Sequence, residues 1–260
     1  MIGKFGDVLL ALMCTGLVTL NNNQAAPRVQ FSKEQPVRVD SIHLFDSSRN
    51  RDIPVLLYGS INNETRKPKL VIIMHGHGGR NSEYSFIAKK LVSENFYVAS
   101  IQYELPGDKP VPINGSVYES LKPKWESAVQ SMLFVIASLK KINPLLDTKD
   151  LVLIGHSMGG DIVMLFATEH PDITDKVISL DHYHMPVPRT SKPGILSLRA
   201  SSLIPADDGV IPTAEECDQY GINIILLKRI SHGDMTDHGS KAKKQNINKY
   251  ITQFINGNQQ

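Results

Sequence analysis

Cysteine is nearly missing from this chain: its 260 residues include two, Cys14 and Cys217. That count excludes a Cys-type metal site and a disulfide-stapled scaffold. One-sided charge is missing as well. The 28 basic and 26 acidic residues leave a formal net charge of +2 with no basic arm, so nothing favours nucleic acid or anionic lipid as a partner. The local cluster Lys241-Ala242-Lys243-Lys244 opens a predicted helix and reads as a solvated face. There is no internal repeat, no low-complexity tract, and no apolar run of the ~20 residues a membrane span needs, so stable membrane insertion is not expected. What is present, 41% hydrophobic and 21% charged residues, is enough for one substantial core.

The first residues read as an export signal. Lys4 supplies a positive start, Val8 to Leu20 form an apolar run too short for a span, and Ala25-Ala26 offer small residues for cleavage. The expectation is a signal peptide over 1–26, a single catalytic domain over 27–260, and a periplasmic or secreted location. Once the signal has left, Cys217 is alone and no intramolecular disulfide can form. Nothing in the sequence sets an oligomeric state.

Two β-rich runs, Val37 to Phe45 and Asp52 to Ser60, flank the turn-forming Asp46-Ser47-Ser48-Arg49-Asn50 and predict an antiparallel hairpin. Continuous apolar runs follow at Leu70 to Met74, Tyr97 to Ile101, Leu151 to Ile154, Lys176 to Leu180, Ile195 to Leu198 and Ile222 to Leu227. Such runs suit strands covered on both faces. Amphipathic segments lie between or after them: Tyr84 to Asn95, Trp125 to Ile142, Gly159 to His170 and Lys241 to Ile255. The alternation predicts an α/β fold with a mostly parallel central sheet, an N-terminal antiparallel hairpin and helices on both faces.

The chemistry concentrates after two of the strands. Leu151-Val152-Leu153-Ile154 runs into Gly155-His156-Ser157-Met158-Gly159 and then a helix, the strand–turn–helix setting of a G-x-S-x-G nucleophile elbow. The glycines leave room for a sharp turn, and the turn places the Ser157 hydroxyl at the positive end of a helix. Met74-His75-Gly76-His77-Gly78-Gly79 is a glycine-rich turn at another strand end, able to aim backbone N–H groups at developing negative charge. Its alternative reading, a metal site from His75 and His77, lacks a nearby carboxylate, and neither a metal nor a cofactor is expected. A serine nucleophile needs a base. His232, in Ser231-His232-Gly233-Asp234-Met235, follows the last strand almost at once; His238 lies nearer the final helix and reads as a surface residue or one behind the site.

These residues together resemble the α/β-hydrolase superfamily of esterases, lipases and related enzymes, over nearly the whole mature chain. Arg51-Asp52-Ile53-Pro54-Val55, Ser100 to Pro106, Ile178-Ser179-Leu180-Asp181 and His232-Gly233-Asp234-Met235 are similar to a group of small bacterial hydrolases of poorly defined substrate. The resemblance implies a serine esterase mechanism with the oxyanion held by the amides of Met158 and His77, Gly78 being the alternative. It implies an acid after the strand Ile195 to Leu198. The loop Pro205-Ala206-Asp207-Asp208-Gly209-Val210-Ile211-Pro212 resembles the usual acid loop and selects Asp208, with Asp207 as the alternative. Asp181, at the end of the preceding strand, is a third candidate because some relatives use that position.

The expected function is cleavage of a small-molecule carboxylic ester through an acyl-enzyme. Alternatives are a peptidase or amidase on the same triad, or a non-catalytic binding protein that retains the fold. Leu180 to Ile195 is too short for a large helical cap. The stretch from Tyr103 to Pro123 reads as a long binding loop, with Tyr118 and Trp125 as cleft-wall or packing residues.

Overall fold

The computed structural model describes residues 36–61, 67–201 and 204–257. The expected signal segment lies outside the described residues. Eight strands form one sheet: β1 (Val37–Asp46), β2 (Arg51–Ser60), β3 (Lys69–Met74), β4 (Tyr97–Ile101), β5 (Asp147–His156), β6 (Thr174–Leu180), β7 (Gly194–Ala200) and β8 (Asn223–Leu227). Their order is β1-β2-β4-β3-β5-β6-β7-β8. β1 and β2 form the predicted antiparallel hairpin, β2 also runs antiparallel to β4, and every other pairing is parallel.

The period of two along each strand divides the core. On β3, Leu70, Ile72 and Met74 join one layer, with Trp125, Met132 and Val135 of helix α2 (Val117–Ile142) and Phe166 of α3 (Met158–Glu169). Val71 and Ile73 face the other layer, with Ile87 and Leu91 of α1 (Ser85–Ser93) and Ile247 and Ile251 of α5 (Lys241–Ile255). Both faces are therefore covered, which is why these strands are apolar throughout.

Two elements differ from expectation. Helix α2 begins at Val117 rather than Trp125, and Pro123 lies inside it. Ser116 caps its start by accepting from the Glu119 N–H, and Leu121 and Trp125 are buried on either side of the proline. Core packing there outweighs the N–H that proline lacks. The loop before α2 consequently shortens to residues 102–116. Trp125 is fully buried with Tyr118 edge-on at 5.6 Å, so the packing reading holds for it. Helix α4 (Ala214–Tyr220) was not expected because it buries no side chain and so shows no apolar stripe. It carries a capping box, Thr213 with Glu216.

In this strand order, β3 and β5 are neighbours whose following connections leave toward opposite sides of the sheet. That is the switch point at which open α/β sheets bind ligands, beyond the carboxyl ends of the strands.

Candidate active site

Ser157 sits between β5 and α3 at φ 52° and ψ −125°, a left-handed backbone that costs a non-glycine residue on the order of 1–3 kcal/mol. Close packing holds it there. A Cβ on Gly155 would lie 2.0 Å from the Gly159 carbonyl oxygen, and one on Gly159 would lie 2.2 Å from that of Met74. Only glycine fits either place, so β5, the turn and α3 press directly on the end of β3. The Ser157 hydroxyl makes no capping bond to its own helix, which leaves it available for chemistry.

The glycine-rich loop after β3 lies against the elbow: a Cβ on Gly76 would be 3.2 Å from the Ser157 Cβ. Its amides are largely committed. Gly76 N–H donates to the Tyr84 hydroxyl (3.1 Å), Gly78 N–H to Glu104 Oε2 (2.7 Å) and Gly79 N–H to the Gly76 carbonyl (3.0 Å). Those bonds leave over the amide of His77. Gly78, the alternative oxyanion donor, is thus already occupied by Glu104. The same carboxylate accepts from His77 Nδ1 at 2.7 Å and pairs with Lys124. Burial acts to raise the Glu104 carboxyl, but bonds from Lys124, the Gly78 amide and His77 outweigh it and hold the group below its usual range. His75 is buried, stacked on Tyr103 at 4.3 Å, and accepts from Gln102 Nε2 at 3.0 Å. A groove of about 420 Å³ opens beside this loop, walled by His77, Arg80, Leu105, Pro106 and Lys109.

His232 lies in a 3-10 turn, His232–Met235, after β8. Its Nδ1 is 2.8 Å from Asp181 Oδ2. Asp181 directly follows β6 at φ 53°, and the Ser157 amide bonds the carbonyl of Leu180 immediately before it. Ser157 and Asp181 are therefore carried at the ends of paired strands. The Asp181 carboxylate is 1% exposed and well supplied with donors. Oδ1 accepts from the Ala200 amide (3.0 Å) and faces Arg199 Nη2 (3.4 Å), while Oδ2 accepts from the Tyr183 hydroxyl (2.6 Å) as well as His232. Arg199 also lies over the Tyr183 ring at 5.6 Å. Burial alone would raise this carboxyl; the His232, Tyr183 and Ala200 bonds and the Arg199 charge bring it down to about 2.

Residues 65–181, under half of the chain's length, match the family model for serine aminopeptidase, S33. The sn-1-specific diacylglycerol lipase ABHD11 of Mus musculus is 27% identical over 164 residues, 60% of this chain and 48% of that protein. Thus the match spans about half the length of that relative. A ferulic acid esterase from Streptomyces cinnamoneus superposes with a TM-score of 0.61 at 17% identity, covering 88% of this chain and 91% of that one. The hyperthermophilic esterase from Pyrobaculum calidifontis gives 0.60 at 15% identity, with 85% and 84% covered. The chain has the α/β-hydrolase fold.

Within that fold, the carboxylate beside His232 is not the expected Asp208 or its alternative Asp207. Asp208 is exposed, and Asp207 is bound to His184 Nδ1 at 2.9 Å rather than to His232. The carboxylate that reaches His232 is Asp181, one strand earlier. Asp207 and Asp208 follow β7 on a loop that folds back over the 183–187 segment, through Asp207 N–H to the Tyr183 carbonyl and Val187 N–H to the Val210 carbonyl. That course keeps them away from His232. His238 lies at the surface, 3.9 Å from Glu83. Sequence reasoning assigned no part in the site to Glu104, Arg199 or Gln102. An aspartate that directly follows an apolar strand and is followed by His182-Tyr183-His184 was the available signal for this cluster.

Proposed function

We propose that this α/β hydrolase is a serine hydrolase that cleaves a carboxylic ester through an acyl-enzyme. The observation that carries the reading is the 2.8 Å bond from His232 to a buried carboxylate on the strand end paired with that of Ser157. With Nδ1–H donated to Asp181, the other ring nitrogen of His232 is left as an acceptor, the tautomer a general base requires.

Ser157 Oγ attacks the ester carbonyl carbon and its proton passes to His232. The tetrahedral oxyanion is held by the amides of Met158 and His77. Collapse breaks the bond to the alcohol oxygen, which takes the proton from His232. Water, deprotonated by His232, then attacks the acyl carbonyl, releasing the carboxylic acid and restoring Ser157. The groove beside His77 has room for one side of a small acyl substrate.

A fluorophosphonate probe should label Ser157, and Ser157→Ala should abolish both labelling and turnover of short p-nitrophenyl esters. Labelling that survives the substitution refutes the assignment. Amide cleavage on the same residues is a second reading, favoured by the aminopeptidase description of the matching family. A matched pair of anilide and ester substrates separates the two. The reading also includes export with removal of the signal segment, which N-terminal sequencing of the mature protein tests.

A further inference from the structure

The residue before Ser157 has no part in the steps above, yet its side chain is buried and hydrogen-bonded at both ring nitrogens. His156 is 5% exposed. Its Nε2 lies 3.1 Å from the backbone carbonyl oxygen of His232 and its Nδ1 lies 3.0 Å from the Tyr84 hydroxyl. Tyr84 is itself 2% exposed and meets the Gly76 amide at 3.1 Å.

The protons along this path have one consistent placement. A backbone N–H only donates, so the Tyr84 oxygen accepts from Gly76 and passes its own proton toward His156 Nδ1. A carbonyl only accepts, so His156 Nε2 carries the ring proton and donates it to His232. The imidazole must therefore be neutral. Burial, followed by the nearby charge of His232, brings its pKa down to about 3, which keeps it so. The two imidazoles also pack against each other in a tilted arrangement, with centroids 4.4 Å apart and planes 36° apart.

The sheet itself does not supply this connection. β5, which carries Ser157, and β8, which precedes His232, are separated by β6 and β7. No strand ladder can set the base loop against the elbow. A displacement of about 1 Å in such a pair of groups is enough to cost two orders of magnitude in rate.

We propose that Tyr84 and His156 are positioning residues, a neutral hydrogen-bonded chain from the Gly76 amide to the His232 carbonyl that holds the oxyanion loop and the base loop on the elbow of Ser157. This rests on the serine-hydrolase reading. The expected signature is a loss of turnover rather than of substrate binding, because the chain braces two loops whose other groups act on the transition state.

The test uses the full chain with Tyr84→Phe, His156→Leu and His156→Gln, assayed on a p-nitrophenyl ester and by the rate of fluorophosphonate labelling, well below each variant's Tm. Tyr84→Phe and His156→Leu should lower kcat by about tenfold or more, with KM unchanged within about twofold and labelling slowed in parallel. His156→Gln offers an amide N–H to His232 and an oxygen to Tyr84, and should recover most of the loss. Turnover and labelling unchanged in Tyr84→Phe overturns the proposal even if the His156 variants do not fold. So does a His156→Gln protein that is as slow as His156→Leu. A wild-type chain that neither turns over esters nor labels overturns the serine-hydrolase reading first, before any variant is compared.

Discussion

Replacing Asp181 by asparagine keeps the side-chain shape and removes the charge on which His232 depends. If the amide nitrogen takes the place of Oδ2, it faces His232 Nδ1 and the Tyr183 hydroxyl, both of which now donate to that oxygen. The imidazole then lowers its conflict by moving its proton to the other nitrogen, the one that must accept from Ser157. A base held in that tautomer loses roughly 10³–10⁴ in kcat, or about 4–5 kcal/mol of barrier. Steady-state turnover of a p-nitrophenyl ester measures it, with Asp208→Asn as the control expected to behave as wild type. A loss below about tenfold in Asp181→Asn, or an equal loss in Asp208→Asn, refutes the assignment of the acid.

The same substitution has a thermodynamic counterpart. Although burial opposes it, the donor set brings the Asp181 carboxyl to about 2 from 3.8. A folded-state value below the unfolded one contributes stability that is complete above pH ~4 and is lost as the pH falls toward 2; at ~1.4 kcal/mol per unit this is about 2 kcal/mol. The asparagine variant lacks that slope. The gap in unfolding free energy between wild type and variant should therefore narrow by about that amount between pH ~5 and pH ~2.

Three further outcomes are expected. Gly159→Ala would place a methyl 2.2 Å from the Met74 carbonyl oxygen and should leave little soluble, folded protein, as read by yield and thermal melting. Glu104→Gln puts an N–H₂ against a donor at Gly78, His77 or Lys124, so kcat should fall about tenfold with KM little changed; an unaltered kcat would show that the loop holds its shape without it. Burial raises the Asp161 carboxyl well above its usual range, over the lowering influence of the Met185 and His184 amides. A raised value means stability is shed as pH rises through it, so the Tm advantage of Asp161→Asn over wild type should be larger at pH 8 than at pH 4.

The elbow was legible because three local signals coincide there: an apolar strand, two glycines that nothing else can replace, and a helix start. His232 was legible from its place just after the last strand. The acid was not. Asp181 and Asp208 both follow parallel strands, and choosing between them requires knowing that the loop after β7 folds back onto residues 183–187 while β6 ends beside Ser157. Those are tertiary facts with no local pattern. Helix α2 shows the same limit, since Pro123 argues for a loop locally and only the burial of Leu121 and Trp125 overrules it. Glu104 and Arg199 were invisible for a related reason: a lone charged residue reads as surface until its partners are known.

The hairpin has a consequence for the molecule's behaviour in a crowd. Among the described residues, β1 is ten residues long and forms one outer edge of the sheet, a place where backbone donors and acceptors can invite another chain to pair. It carries Arg38 paired with Asp40 at 2.6 Å, and His43 reaching Asp52 at 3.1 Å. Charges on an edge strand penalise an incoming neighbour. The opposite edge, β8, is only five residues long and carries Leu226 at 60% exposure. One border of the sheet is guarded by charge and the other chiefly by brevity, so the first site of self-association under destabilising conditions should be β8.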